Sequence, residues 1–183
     1  MSMKTIKNIR LGIKNESKFK HAFSLVCQFI DEQGWSGACH PSVAVLFAVC
    51  KVLGIEATPC IGEAGLYGGA FDHSWLTIND KVFDAAIIFP LNESYATGPI
   101  FDGFDLCEQA EAEIRYGVYF SGLDEQAEAI NSQNLCDYID AAPNDMLWRL
   151  ISLICEDIGA KFSKERLRSE LSECHWKYVK EKH

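Results

Sequence analysis

The sequence contains no run approaching the roughly 20 apolar residues that cross a membrane, no internal repeat, no low-complexity tract and no linker that would divide two domains. It is short of positive charge: 17 Lys and Arg stand against 26 Asp and Glu, a net charge of −9. That balance disfavours general affinity for nucleic acid or an anionic membrane surface and leaves peptides, proteins and small molecules as partners. The N-terminal stretch carries Lys4, Lys7, Arg10, Lys14, Lys18 and Lys20. The apolar run that follows, FSLVCQFI, is short, ends in DEQG and lacks a small-residue cleavage site, so no export signal is expected. There is no C-x-x-C pair, and the Cys and His spacings fit no structural zinc template, so no cofactor or metal is expected. Eight cysteines in 183 residues therefore read as reduced thiols in a cytoplasm rather than as a disulfide framework.

What is present suits one ordinary domain spanning 1–183, with 48% apolar and 23% charged residues supporting a continuous core. Phe19, Phe23, Val26, Phe29 and Ile30 recur at three- and four-residue spacings and predict an amphipathic helix over 18–32. After the loop GWSGAC, the nearly continuous apolar run from Pro41 to Leu53 predicts a buried helix that stops at Gly54. IEATPCIGEA reads as a strand and GLYGGA as a flexible connection, in which Gly62, Gly65, Gly68 and Gly69 serve turn chemistry or a flap over a cleft. FDHSWLTI, the turn Asn79-Asp80 and KVFDAAII predict a hairpin in which Trp75 faces Asp84 and His73 faces Ala86. Phe71, His73, Trp75 and Thr77 then share one face. Segment 90–144 offers only weak signals, and two helices are expected near 144–158 and 163–179. The fold class is thus α+β, with a core over about 18–90 and a helical C-terminal part over about 140–180.

Six of the cysteines, at 27, 50, 107, 136, 155 and 174, fall mostly in apparent helices and read as buried apolar thiols. Cys39 differs, because it stands between a glycine-rich turn and His40-Pro41 at a helix start. Unpaired N–H groups and the helix dipole stabilise a thiolate there. A nucleophilic thiolate needs a base and a group to orient that base. His73 on one hairpin strand and Asp84 on the other are diagonal neighbours on one face and can meet. His40, beside the thiol, is a second proton carrier or a pocket wall. Asp72 and Asp102 read as solvated loop charges.

GACHPSVAVLFAVCKVLGIEATPCIGE followed by HSWLTINDKVFDAA resembles the core of the transglutaminase-like superfamily, a branch of the papain-like cysteine enzymes, over residues 34–86. The resemblance implies a nucleophile helix packed on a small antiparallel sheet. It implies Cys39 as nucleophile, His73 as its base and Asp84 as the orienting group. Gln33 occupies the place where papain-like enzymes carry an oxyanion-donating glutamine, with Trp35 and the Cys39 amide as alternatives and Trp75 as a further pocket residue. His40 after the nucleophile, and Ala-Ala-Ile after Asp84, depart from the usual pattern. The expected function is cysteine-dependent acyl transfer through a thioester on a peptide, protein or small amide substrate, with water as the acceptor in a peptidase or amidase as first choice and an amine in a transglutaminase-like acyltransferase as the alternative. A silent binding module of the same fold, or a redox or metal-binding thiol protein, are the rivals.

Overall fold

The computed structural model describes residues 3–66 and 68–180, with side chains from Ile6 onward. It is an α+β arrangement. Helix α1 is Met3–Asn8, α2 is Glu16–Gln33 and α3 is Cys39–Leu53. The strands that follow are β1 Thr58–Leu66, β2 Gly69–Ile78, β3 Lys81–Phe83, β4 Ile100–Phe101, β5 Phe104–Asp105, β6 Ala110–Glu111 and β7 Arg115–Val118. Helices α4 Glu125–Asn131, α5 Leu135–Asp140, α6 Met146–Asp157 and α7 Lys164–Ser172 precede the last strand, β8 Lys177–Val179. No described helix is long and apolar enough to cross a membrane.

The main sheet runs β3-β2-β1, and two short strands share the far edge of β1. β7 pairs antiparallel beside Glu63–Gly65, and β8 pairs parallel beside Cys60–Gly62. β4, β5 and β6 form a second antiparallel sheet. α3 is apolar almost all round, and residues from Val43 to Cys50 are all buried, because α2, α6 and the sheet pack on different sides of it. Phe19 and Phe23 of α2 meet Phe83 and Phe101 edge to face, with centroids 5.3 Å apart for Phe19–Phe83 and 5.0 Å for Phe23–Phe101. Both long helices end on a left-handed glycine, Gly34 and Gly54, whose N–H returns to the last turn.

Helices α2 and α3 sit within two residues of their expected bounds, whereas α1 is not an expected element, and Asn79-Asp80 forms the expected two-residue turn. Both turn residues have positive φ, 51° and 61°, and Ile78 pairs with Lys81. Several expectations need correction. Most of GLYGGA is strand rather than connection: among the described residues β1 continues to Leu66 and pairs with Gly69, so Gly62 and Gly65 lie within a strand, while Gly68 serves the expected turn with φ 80°. Gly62 is there for close approach, since an added Cβ would collide with the Val179 carbonyl of β8. The returning strand stops at Phe83 rather than continuing to 88, so Trp75–Asp84 and His73–Ala86 never pair in the ladder. The last helix ends at Ser172, and Lys177-Tyr178-Val179 enters the sheet because its aromatic and β-branched side chains suit a strand. Cys107 is exposed between β5 and β6, and Cys174 lies beyond α7, so neither is helical. Asp102 lies in a loop as expected, as the first residue of the left-handed Asp102-Gly103 turn joining β4 to β5, but is half-buried there.

Candidate active site

Cys39 is the first residue of α3, which begins two positions before the expected start at Pro41, and the preceding Ala38 offers no side-chain cap. Among the described residues the Cys39 N–H has no acceptor, so the first turn directs an unpaired amide and the positive end of its dipole at the thiol. The turn before it is pinned: Gly37 N–H donates to the Phe89 carbonyl at 3.1 Å, and Ser36 Oγ donates to the Pro90 carbonyl. The helix start is thereby tied to the segment that follows Asp84.

β3 covers β2 only from Leu76 to Ile78, so the edge of β2 that precedes Leu76 has no strand on that side. His73 sits on this uncovered stretch at 2% exposure. Its Nε2–H donates to Asp84 Oδ2 at 2.6 Å, which leaves Nδ1 for the thiol. Asp84, 1% exposed, has left the β2 ladder but is fixed by two backbone hydrogen bonds of 2.8 Å with Ile100. Its Oδ1 accepts from the Ala86 and Ile87 N–H groups at 3.0 and 3.2 Å, and Oδ2 also accepts from the Tyr116 hydroxyl at 2.8 Å. The carboxylate therefore has every acceptor position engaged, and only one conformation satisfies all four donors.

The thiol's protonation follows from these neighbours. Burial alone would raise the Cys39 pKa; the charge of His73 and hydrogen bonds from His40 and His73 outweigh it and bring the thiol to about 5. His73 moves the opposite way. Burial disfavours its charge, but the carboxylate of Asp84 and the thiolate of Cys39 raise the imidazole to about 10. The pair is thus thiolate and imidazolium over the interval between those values. Cys27, Cys50, Cys60, Cys136 and Cys155 have no such partner, and burial pushes each of them up. The contrast is sharpest between Cys39 and Cys50 of the same helix, both buried and shifted in opposite directions.

Around the thiol lies a cavity of about 250 Å³ bounded by Cys39, His40, Phe71, Asp72, His73, Phe89, Leu91 and Asp124 among others. His40 is a wall of it, with Nδ1 2.7 Å from Ser74 Oγ and its ring edge-on to Trp176. Asp72 is not a solvated loop charge; it lies on β2, half-buried in the same wall, and accepts the Asp124 N–H at 2.9 Å. Gln33 is exposed at the end of α2 and does not line the cavity. Trp35 packs on Phe29 at 5.9 Å, away from it, and Trp75 is buried against Tyr116 at 5.0 Å. Of the oxyanion donors considered, the Cys39 amide is therefore the one beside the thiol. Among the described residues no three His, Cys, Asp or Glu side chains come together as metal ligands.

Tyr116 is the site residue that the sequence reading missed. It lies on β7, and burial with the neighbouring Asp84 charge raises its pKa, so the hydroxyl stays protonated and donates. The alternation of Ile114, Tyr116 and Val118 is a period-two signal that marks the strand. Comparison of the chain with family models, curated proteins and solved structures finds no match.

Proposed function

We propose that this chain is a cysteine-dependent acyl-transfer enzyme that hydrolyses an amide or peptide bond through a thioester on Cys39. The observation that carries the reading is the buried series Cys39, His73, Asp84, in which thiol and imidazole shift in opposite directions and the carboxylate holds the far ring nitrogen at 2.6 Å. The nucleophile helix set against a sheet bearing the base agrees with the transglutaminase-like, papain-like pattern that residues 34–86 resemble. All eight cysteines are free, which suits a reducing cytoplasm.

In this reading the Cys39 thiolate attacks the carbonyl carbon, and the carbon–oxygen π pair moves onto oxygen. The unpaired Cys39 N–H is the donor available to that oxyanion. Collapse breaks the carbon–nitrogen bond, and the departing amine takes the proton from His73. Neutral His73 then removes a proton from water, whose oxygen adds to the thioester. Thiolate leaves, and the imidazolium is restored. Asp84 and, behind it, Tyr116 hold the ring in the tautomer and orientation that both transfers need. Water as acceptor requires no second binding site.

The test is mass spectrometry with activated esters. An acyl mass should appear on Cys39, and water should remove it; Cys39→Ser should bind substrate but turn over far more slowly, and His73→Ala should lose most of the acylation rate. If wild type and Cys39→Ser behave alike across peptide, amide and ester substrates, the chain is a binding module instead.

A further inference from the structure

Apart from the Cys39–His73 ion pair, the cavity beside the thiol is uniform in the sign of its fixed charge. Its wall includes the carboxylates of Asp72 and Asp124 and no Lys or Arg among its described residues. Its two histidines are already engaged, His73 with Asp84 and Cys39, and His40 with Ser74. Asp72 is half-buried and makes no ion pair among the described residues; its one protein partner is the Asp124 N–H on Oδ2, which leaves Oδ1 without a donor. Asp124 spends one oxygen capping α4 through the Ala127 N–H at 2.8 Å. Apart from the side-chain amides of Asn92 and Gln126, the rest of the wall is mainly apolar, built chiefly by Phe71, Phe89 and Leu91, the last of these 86% exposed at the rim.

A carboxylate held at a largely apolar wall without a cation is an incomplete arrangement, because the partly buried charge loses hydration and gains a single backbone hydrogen bond in return. Burial raises the Asp72 carboxyl, and the charges of Asp124 and Glu63 add to this against the lowering by the Asp124 N–H and His40. A ligand with a hydrocarbon stem and a cationic head complements both parts of the wall, stem on the aromatic side and head at the carboxylates. At about 250 Å³ the space is below the roughly 300–1,000 Å³ of pockets for drug-sized ligands, and so takes one side-chain-sized group.

We propose that the acyl group transferred to Cys39 carries an ammonium or guanidinium on a short aliphatic stem, and that Asp72 is the specificity-determining residue that binds it. The proposal rests on the reading of Cys39 as nucleophile. The acyl donor is the first occupant of the cleft, whereas water as acceptor needs no recognition. The cation therefore belongs to the acyl side rather than to the acceptor.

Matched nitrophenyl esters of aminohexanoic, hexanoic and adipic acid, the last as the monoester, test this on the full chain. The rate of Cys39 acylation should follow cationic, then neutral, then anionic, with about tenfold between the extremes. Asp72→Asn keeps an oxygen for the Asp124 N–H and should bring the cationic-to-anionic ratio towards one, and Asp72→Lys should invert it. A ratio near one in the wild type, or a ratio that Asp72→Asn leaves unchanged, overturns the proposal while leaving the enzyme reading in place. A flat ester series in which added alkylamines speed deacylation saturably also overturns it, by moving the cation to the acceptor. Absence of acyl mass on Cys39 from all three esters removes the enzyme reading and the proposal together. In the same preparation, butylamine should slow iodoacetamide labelling of Cys39 more than butyrate does, a readout that needs no turnover; equal protection counts against Asp72.

Discussion

The Asp84 oxygen that accepts His73 Nε2–H at 2.6 Å also accepts the Tyr116 hydroxyl at 2.8 Å, so a residue on β7 holds the far end of a relay that begins at the start of α3. Tyr116 touches neither the thiol nor the cavity and acts through Asp84, which makes it a positioning residue. Tyr116→Phe removes one of four donors and keeps the ring that packs on Trp75. The expected result is a fall in kcat of about tenfold with KM within about twofold, in steady-state kinetics on an activated ester. Asp84→Asn should cost more, because it weakens the partner of the imidazolium itself. A Tyr116→Phe enzyme with wild-type kcat would detach β7 from the site.

Strand β8 reaches the sheet only because Gly62 has no side chain. Gly62→Ala forces the Val179 carbonyl and the Trp75 ring to give way, and backbone in a parallel ladder gives poorly. Stability should drop by about 1–3 kcal/mol, read as a lower urea midpoint with unchanged slope. A midpoint equal to wild type would mean that β8 pairs too weakly to matter.

Much of the site was legible because its parts have local signals. A glycine-rich turn followed by His40-Pro41 and an apolar run placed Cys39 at a helix start, and alternation around His73 placed it on a strand face. The Asn79-Asp80 turn set the register that brings Asp84 near His73. What failed lay in long-range pairing. Nothing local says that β3 stops at Phe83 and that Asp84 bridges to Ile100 instead, because that choice is made by a strand sixteen residues further on. Gly62 reads as a breaker when the β8 backbone that needs its space is more than a hundred residues away. Gln33 and Trp35 were assigned by motif position alone, and the Gly34 turn sends both away from the cleft, one into solvent and one onto Phe29. Asp72 reads as solvent-facing from its composition, yet the open edge of β2 turns it into the wall of the cavity.

His40 and His73 both lower the Cys39 pKa, and the order of their effects fixes an order of mutants. The His73 charge is the larger cause of the lowering, ahead of the hydrogen bond from His40. In iodoacetamide labelling followed by mass spectrometry, the pH at which Cys39 becomes reactive should move up in His40→Gln and further up in His73→Gln. Ser74→Ala frees the His40 ring and should move it in the same direction as His40→Gln. If His40→Gln shifted the profile more than His73→Gln, the neighbouring imidazole would be the main partner of the thiolate.

The two shifted groups also set the pH window of catalysis, and their signs bound it on opposite sides. The Cys39 pKa is lowered to about 5, so the thiolate is lost as pH falls through that value. The His73 pKa is raised to about 10, so the proton needed by the leaving amine is lost as pH rises through that value. The product of the two populations is a broad plateau, and kcat/KM for an amide substrate should trace a bell with limbs near those values, the free-enzyme values that kcat/KM reports. Because the two groups interact, the limbs belong to the pair rather than to either residue alone. Alkylation needs only the thiolate, so its rate should rise on the same acid limb without the same fall at the alkaline one. Asp84→Asn removes the largest contribution raising the His73 pKa, and should bring the alkaline limb down while moving the acid limb less. An alkylation profile with a single rise near 8.5, the value of an unperturbed thiol, would show that no ion pair exists in the resting protein.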